Sequence, residues 1–196
     1  MKKYLILTFL VFILIISPSP VMAWSATNHH DIAQETYYSL PLDIQQKMNL
    51  SEMKDGSDDP DIKFLDFSYH VYPYNKEKAV YWLNKGKINY EKGNYNYSSY
   101  CYGVATHYIS DGFAGPHYES GTSRIHHTLY EIRAMFLKPE ITYFPENIDS
   151  IFQKNHSKTK KSWNRWLKEG DDINIQEDLN RAGSASYSAV INSINN

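Results

Sequence analysis

Residues 107–131 read HYISDGFAGPHYESGTSRIHHTLYE and hold four of the chain's eight histidines. His107 and Asp111 are four positions apart, and so are His127 and Glu131. On an α-helix, residues at that spacing project from one face. Between the pairs, GFAGPH turns the chain and offers His117 from a constrained backbone. The segment therefore constrains the fold to two successive helices with a sharp turn between them. One such His/carboxylate pair is usually a surface hydrogen bond. Two pairs with a third imidazole between them point to metal, because a pair at this spacing chelates an ion without bending the helix. Imidazole nitrogen and carboxylate oxygen suit zinc, and no thiolate is needed.

The rest of the chain has the same helical character. Segments 29–40, 76–93, 94–112 and 123–137 carry apolar residues at helical spacing, and the last puts Ile125, Leu129, Ile132 and Phe136 on one face. WNRWLKEG (163–170) and QEDLNRAGSASYSAVINSI (176–194) read as two more helices. Strand-like alternation is scarce. The expected fold is a compact all-α, multi-helix domain spanning 24–196, with long metal-binding loops near 51–74 and 112–122.

Residues 1–23 read as a secretory signal peptide: Lys2 and Lys3, an apolar run over 5–16, then Val21-Met22-Ala23 as a small-residue cleavage site. The run is too short to span a bilayer comfortably. Cleavage gives a secreted protein whose mature N-terminus is Trp24. Losing Lys2 and Lys3 takes the net charge from −2 to −4, which argues against a general nucleic-acid-binding surface. The one cysteine, Cys101, cannot form an internal disulfide. It reads as a small core residue on a buried helix, and the domain must be held by its core or by metal.

Two further stretches supply candidate ligands. KDGSDDPDIKFLDFSYHVYP (54–73) holds five aspartates and His70. At the mature N-terminus, the free α-amine and carbonyl of Trp24 form a five-membered chelate, and an α-amine pKa near ~8 makes the nitrogen available to a competing metal.

Taken in order, these motifs resemble the zinc-dependent phospholipase C family, which includes the bacillus phosphatidylcholine-preferring enzyme and the catalytic domain of clostridial alpha-toxin. They are more distantly similar to the S1/P1 nucleases. The matching features are WSATNHHDI, GSDDPD, a histidine nine residues on at His70, and His107/Asp111/His117/His127/Glu131. The resemblance implies an α-helical phospholipase C/P1 nuclease-like domain with three zinc ions in one cleft. It implies that Asp61, His70, His107 and Asp111 hold one ion, and that His117, His127 and Glu131 hold the second. The Trp24 amine and carbonyl, His29 and a shared Asp111 would hold the third. Asp61 takes the position of a ligand or general base, with Asp58 and Asp59 as neighbouring candidates. His29 is preferred over His30, and His127 over His126. His156 belongs to no motif and is expected at the surface. Glu131 matches the phospholipases, whereas the nucleases carry aspartate there and also use disulfides.

The expected function is that of a secreted zinc phosphodiesterase, a phospholipase C that releases diacylglycerol and a phosphorylated headgroup. Phospholipid or another phosphodiester is the expected partner, with peripheral membrane contact and a monomeric state. No C-terminal β-sandwich follows, so deep bilayer insertion is not expected, and neither is stable nucleic-acid binding. The competing readings are a single-strand nuclease or 3′-nucleotidase, and a non-catalytic zinc-stabilised binding protein. Tyr69, Tyr108 and Tyr118 are candidates to line the cleft.

Overall fold

The computed structural model describes residues 24–118 and 123–195, so the expected signal peptide and part of the expected 112–122 loop lie outside the described residues. The hydroxyl of Ser25 caps the first helix by accepting the Asn28 N–H. Eight α-helices follow among the described residues: α1 (Ala26–Ser39), α2 (Leu42–Gln45), α3 (Leu50–Asp59), α4 (Tyr74–Glu91), α5 (Tyr95–Asp111), α6 (Arg124–Ala134), α7 (Ile148–Glu169) and α8 (Asp172–Asn195). No strand occurs among the described residues, in keeping with the all-α expectation.

Every residue of α5 from Cys101 to Asp111 is buried. A helix enclosed on all sides belongs at the centre of a domain, and α3, α4 and α8 pack around this one. Cys101 sits in that interior as a small apolar residue. Two glycines set how closely α3 and α5 approach. A Cβ on Gly103 would overlap the carbonyl oxygen of Met53, and one on Gly56 would overlap that of Tyr100. The backbones therefore touch where α3 delivers its C-terminal end to the His107 side of α5.

The expected loop over 51–74 is mostly helical. Asn49 caps α3 through Ser51 N and Glu52 N, a π-helical turn runs over Pro60–Phe64, and a 3-10 turn over Phe67–Tyr69. Met53 is the one large apolar side chain that α3 buries, beside Gly56, Ser57 and Asp59. Close backbone packing replaces the apolar stripe that a periodicity argument looks for. A single π turn inside a helical run is a frequent feature of functional sites.

Helix α6 keeps its apolar residues on one face, as their spacing indicates, but that face is the outer one. Its inward face carries His127, Tyr130 and Ala134, while Ile125, Leu129, Ile132 and Phe136 share the outer face and are exposed. Polar ties hold the inner face. The Asn28 amide donates to the Ala134 carbonyl at 2.8 Å, and the Tyr130 hydroxyl donates to the fully buried Asp178 at 2.6 Å. The ring of Tyr130 lies among Trp24, Trp163 and Trp166. Helix α7 begins at Ile148, well before the expected WNRWLKEG segment. His156 is half-buried with its ring against Tyr72, not fully at the surface.

Candidate metal centre

Asp111 ends α5 with no exposed surface, and three imidazoles converge on it. His70 Nδ1 is 2.8 Å from Oδ2, His107 Nε2 is 3.3 Å from Oδ2, and His29 Nε2 is 3.5 Å from Oδ1. The π turn brings in Asp61, whose Oδ1 stands 3.7 Å from His70 Nδ1 and 3.9 Å from His107 Nε2. Two sets bring ligand atoms within 4.8 Å of one another: His29, Asp61 and His107, and His70, His107 and Asp111.

The far nitrogen of each ring fixes what the near one can do. His107 Nδ1 meets the Ser57 carbonyl at 2.7 Å, and a carbonyl only accepts, so the proton of the neutral ring is on Nδ1. Ser110 Oγ donates to the His107 carbonyl and so accepts from His29 Nδ1 at 3.2 Å. His117 Nδ1 donates to the His70 carbonyl at 3.4 Å. The Nε2 atoms of these three rings thereby carry lone pairs and not protons, and that of His107 also meets His70 Nδ1 at 3.5 Å. For His29 and His107 that lone pair faces buried carboxylates, which is repulsive without a cation between them.

The electrostatics agree with that reading. Burial, helped by His107, holds His29 well below the usual imidazole range, and burial brings His117 down to about 3. Both stay neutral and available to metal. For His70 burial opposes protonation, but Asp111, Asp66 and Asp61 outweigh it and raise the ring to about 10. Burial pushes Asp61 up to about 6. It pushes on Asp111 too, yet His107 and His70 hold that carboxyl well below its ordinary value.

A second cluster lies on the far side of His70. His127 Nε2 is 3.0 Å from Glu131 Oε1, and the ring of His117 lies 4.9 Å from that of His127. Burial raises the Glu131 carboxyl. The rings of His70 and His117 are 6.4 Å apart, so the two clusters adjoin. Trp24 is fully buried, with its indole N–H donating to the carbonyl of Ser110 at 2.9 Å. The first residue of the expected mature chain is thus pinned beside Asp111.

The crowded aspartates separate by partner. Asp58 pairs with His30 at 2.6 Å. Asp59 accepts from Lys63 at 3.0 Å and from Tyr100 at 2.6 Å. Only Asp61 of the three points its Oδ1 at the imidazoles. Of the three tyrosines considered for the cleft, Tyr108 is buried and bonded to Asp66. Tyr69 lies under the Lys78 ammonium, and Tyr118 under that of Lys160.

Asp66 is the site residue that sequence reasoning missed. Its Oδ1 is 3.6 Å from His70 Nε2, and its Oδ2 accepts from Tyr108 and Lys78. The signal was present, since Asp66 and His70 are four apart like the two pairs that were noticed.

These residues fit a metal ion. Both oxygens of Asp111, Oδ1 of Asp61, Nε2 of His29 and Oε1 of Glu131 are buried without a well-aligned hydrogen bond, although imidazole nitrogens stand close to each carboxylate. Leaving one such atom unpaired costs about 1–3 kcal/mol, more for a charged group, and cations held in the two clusters would satisfy them.

A family model described as zinc-dependent phospholipase C matches residues 28–177. No curated protein and no solved structure matches the chain.

Proposed function

This chain belongs to the zinc-dependent phospholipase C family, and from that premise we propose that it hydrolyses phospholipids to diacylglycerol and a phosphorylated headgroup. The observation that carries the reading is the fully buried Asp111 carboxylate, with three imidazole nitrogens converging on it at 2.8–3.5 Å and no well-aligned hydrogen bond to either oxygen. We assign three zinc sites: Asp61, His70, His107 and Asp111; His117, His127 and Glu131; and the Trp24 amine and carbonyl with His29 and Asp111. The third site requires cleavage after Ala23 and fits an exported protein, a reading supported by the fixed, buried position of Trp24.

Bound zinc would supply Lewis acidity to an anionic phosphodiester and to an attacking water. The protein does the rest by position. Ser57, Ser110 and the His70 carbonyl hold the rings of His107, His29 and His117 with their lone pairs inward. Asp66 faces Nε2 of His70 from the outside as an ion-pair partner at 3.6 Å. Asp61 Oδ1, buried and without a donor, accepts the proton that the attacking water gives up. The enclosing helices exclude bulk water, which strengthens each of these interactions.

The test is turnover of phosphatidylcholine, phosphatidylethanolamine and single-stranded DNA, with zinc and after chelation. Zinc-dependent release of diacylglycerol, with the DNA intact, is the expected result. Cleavage of DNA with both lipids untouched would overturn it in favour of a nuclease.

A further inference from the structure

The outer face of α6 is apolar and has no partner among the described residues. Ile125 is 73% exposed, Leu129 47%, Ile132 48% and Phe136, just past the helix end, 84%. Isolated exposed apolar side chains are ordinary, but four at helical spacing on one face mark an interaction surface.

Helix α7 touches α6 through side chains of its C-terminal part. His126 of α6 rings against Trp166, and Arg133 reaches the Gly170 carbonyl and the Asp172 carboxylate. The exposed side of α7 is basic, with Lys158, Lys160, Lys161, Arg165 and Lys168. None of the five makes an ion pair among the described residues, although the chain as a whole is acidic. Lys160 also lies over the ring of Tyr118, 5.5 Å from its centroid and one residue from His117. The basic strip thus reaches the rim of the metal centre, and α6 itself carries His127 and Glu131.

We propose that the outer face of α6 and the adjoining basic face of α7 dock together on a bilayer containing anionic phospholipid, holding the metal centre at the headgroup layer. The proposal rests on the phospholipase reading for its choice of partner. Apolar side chains entering the acyl boundary beside lysines on lipid phosphates are the general physics of peripheral attachment. A two-fold contact between copies through the same face would bring each basic helix toward its own image, which disfavours self-association.

Flotation with vesicles of phosphatidylcholine, alone and mixed with phosphatidylserine, tests it without turnover. The zinc-loaded protein should bind the mixed vesicles, and an Ile125→Ser, Phe136→Ser variant should bind them about tenfold or more weakly. A Lys161→Gln, Lys168→Gln variant should lose the preference for mixed vesicles and the sensitivity to salt. Circular dichroism and hydrolysis of a water-soluble, monomeric phosphodiester should be unchanged in both. Absence of vesicle binding by the wild type, or equal binding by the apolar variant, overturns the proposal. A concentration-dependent dimer that the same apolar substitutions abolish, in a protein that ignores vesicles, assigns the face to a second copy instead. Vesicle binding without hydrolysis of any phosphodiester would leave the docking face standing and remove the phospholipase reading. Hydrolysis of the soluble substrate without vesicle binding would do the reverse.

Discussion

The Asp66 carboxylate stands 3.6 Å from Nε2 of His70, while Asp111 meets Nδ1 of the same ring at 2.8 Å. One imidazole is therefore held between two carboxylates, the inner one at the metal centre and the outer one bonded to Tyr108 and Lys78. An outer carboxylate that orients a ligand histidine contributes roughly 10–100-fold in metal affinity. Asp66→Asn should weaken zinc binding by about that factor in chelator competition. The zinc-free protein should lose some stability too, because Tyr108, Lys78 and His70 each lose a charged partner, but the zinc-loaded protein should lose more. Equal losses of stability with and without zinc would make Asp66 a structural residue only.

The contact of Gly103 with the Met53 carbonyl sets the spacing of α3 and α5, and through it the placing of the Ser57 carbonyl on His107 Nδ1. Gly103→Ala forces two backbones apart. A loss of about 1–3 kcal/mol is expected from overpacking, with zinc content falling in the folded fraction. Denaturant unfolding and metal analysis on the same sample check it. Wild-type values in both would show that the helices can separate without moving the centre.

In the metal-free protein, His70 is raised from 6.5 to about 10, against burial, by Asp111, Asp66 and Asp61. A folded-state value above the unfolded one stabilises fully below pH 6.5 and is lost as pH rises through about 10. Thermal melts of the metal-free protein should therefore decline across that window. Zinc-loaded protein should not show this decline, because the ion takes the place of the proton. Parallel profiles would contradict the placement of His70 at the metal centre.

Trp24 is anchored by its indole, and its backbone makes no hydrogen bond among the described residues, so the fold should tolerate an added residue while an amine chelate should not. One alanine placed before Trp24 should reduce zinc at the His29 site and leave circular dichroism unchanged. Full zinc content would exclude the amine as a ligand.

The helical pairs His107/Asp111 and His127/Glu131 were legible because their spacing matches the helix period on segments that are indeed helical. Asp66 and His70 have the same spacing but fell in a stretch expected to be a loop, so their relation was overlooked. That stretch hides its helix because Gly56 packs on the Tyr100 backbone and the Met53 backbone on Gly103, leaving Met53 as its one large buried apolar side chain. In helix α6 the apolar residues share one face, as their spacing indicates, yet its buried face belongs to His127, Tyr130 and Ala134. Periodicity reports that a face exists, not what covers it. The indole of Trp24 had no place in any periodic pattern, and only the fold shows it among Tyr130 and Ser110.

The central claim is that Asp111 is shared between two zinc sites, and zinc content of Asp111→Asn beside Glu131→Gln tests it most directly. Asparagine keeps the shape and loses the charge that two adjacent dications require. Asp111→Asn should lose zinc from two sites together, whereas Glu131→Gln should lose it only from the site of His117 and His127, with circular dichroism unchanged in both. An Asp111→Asn protein that keeps all its zinc and its hydrolysis would contradict the shared-carboxylate assignment.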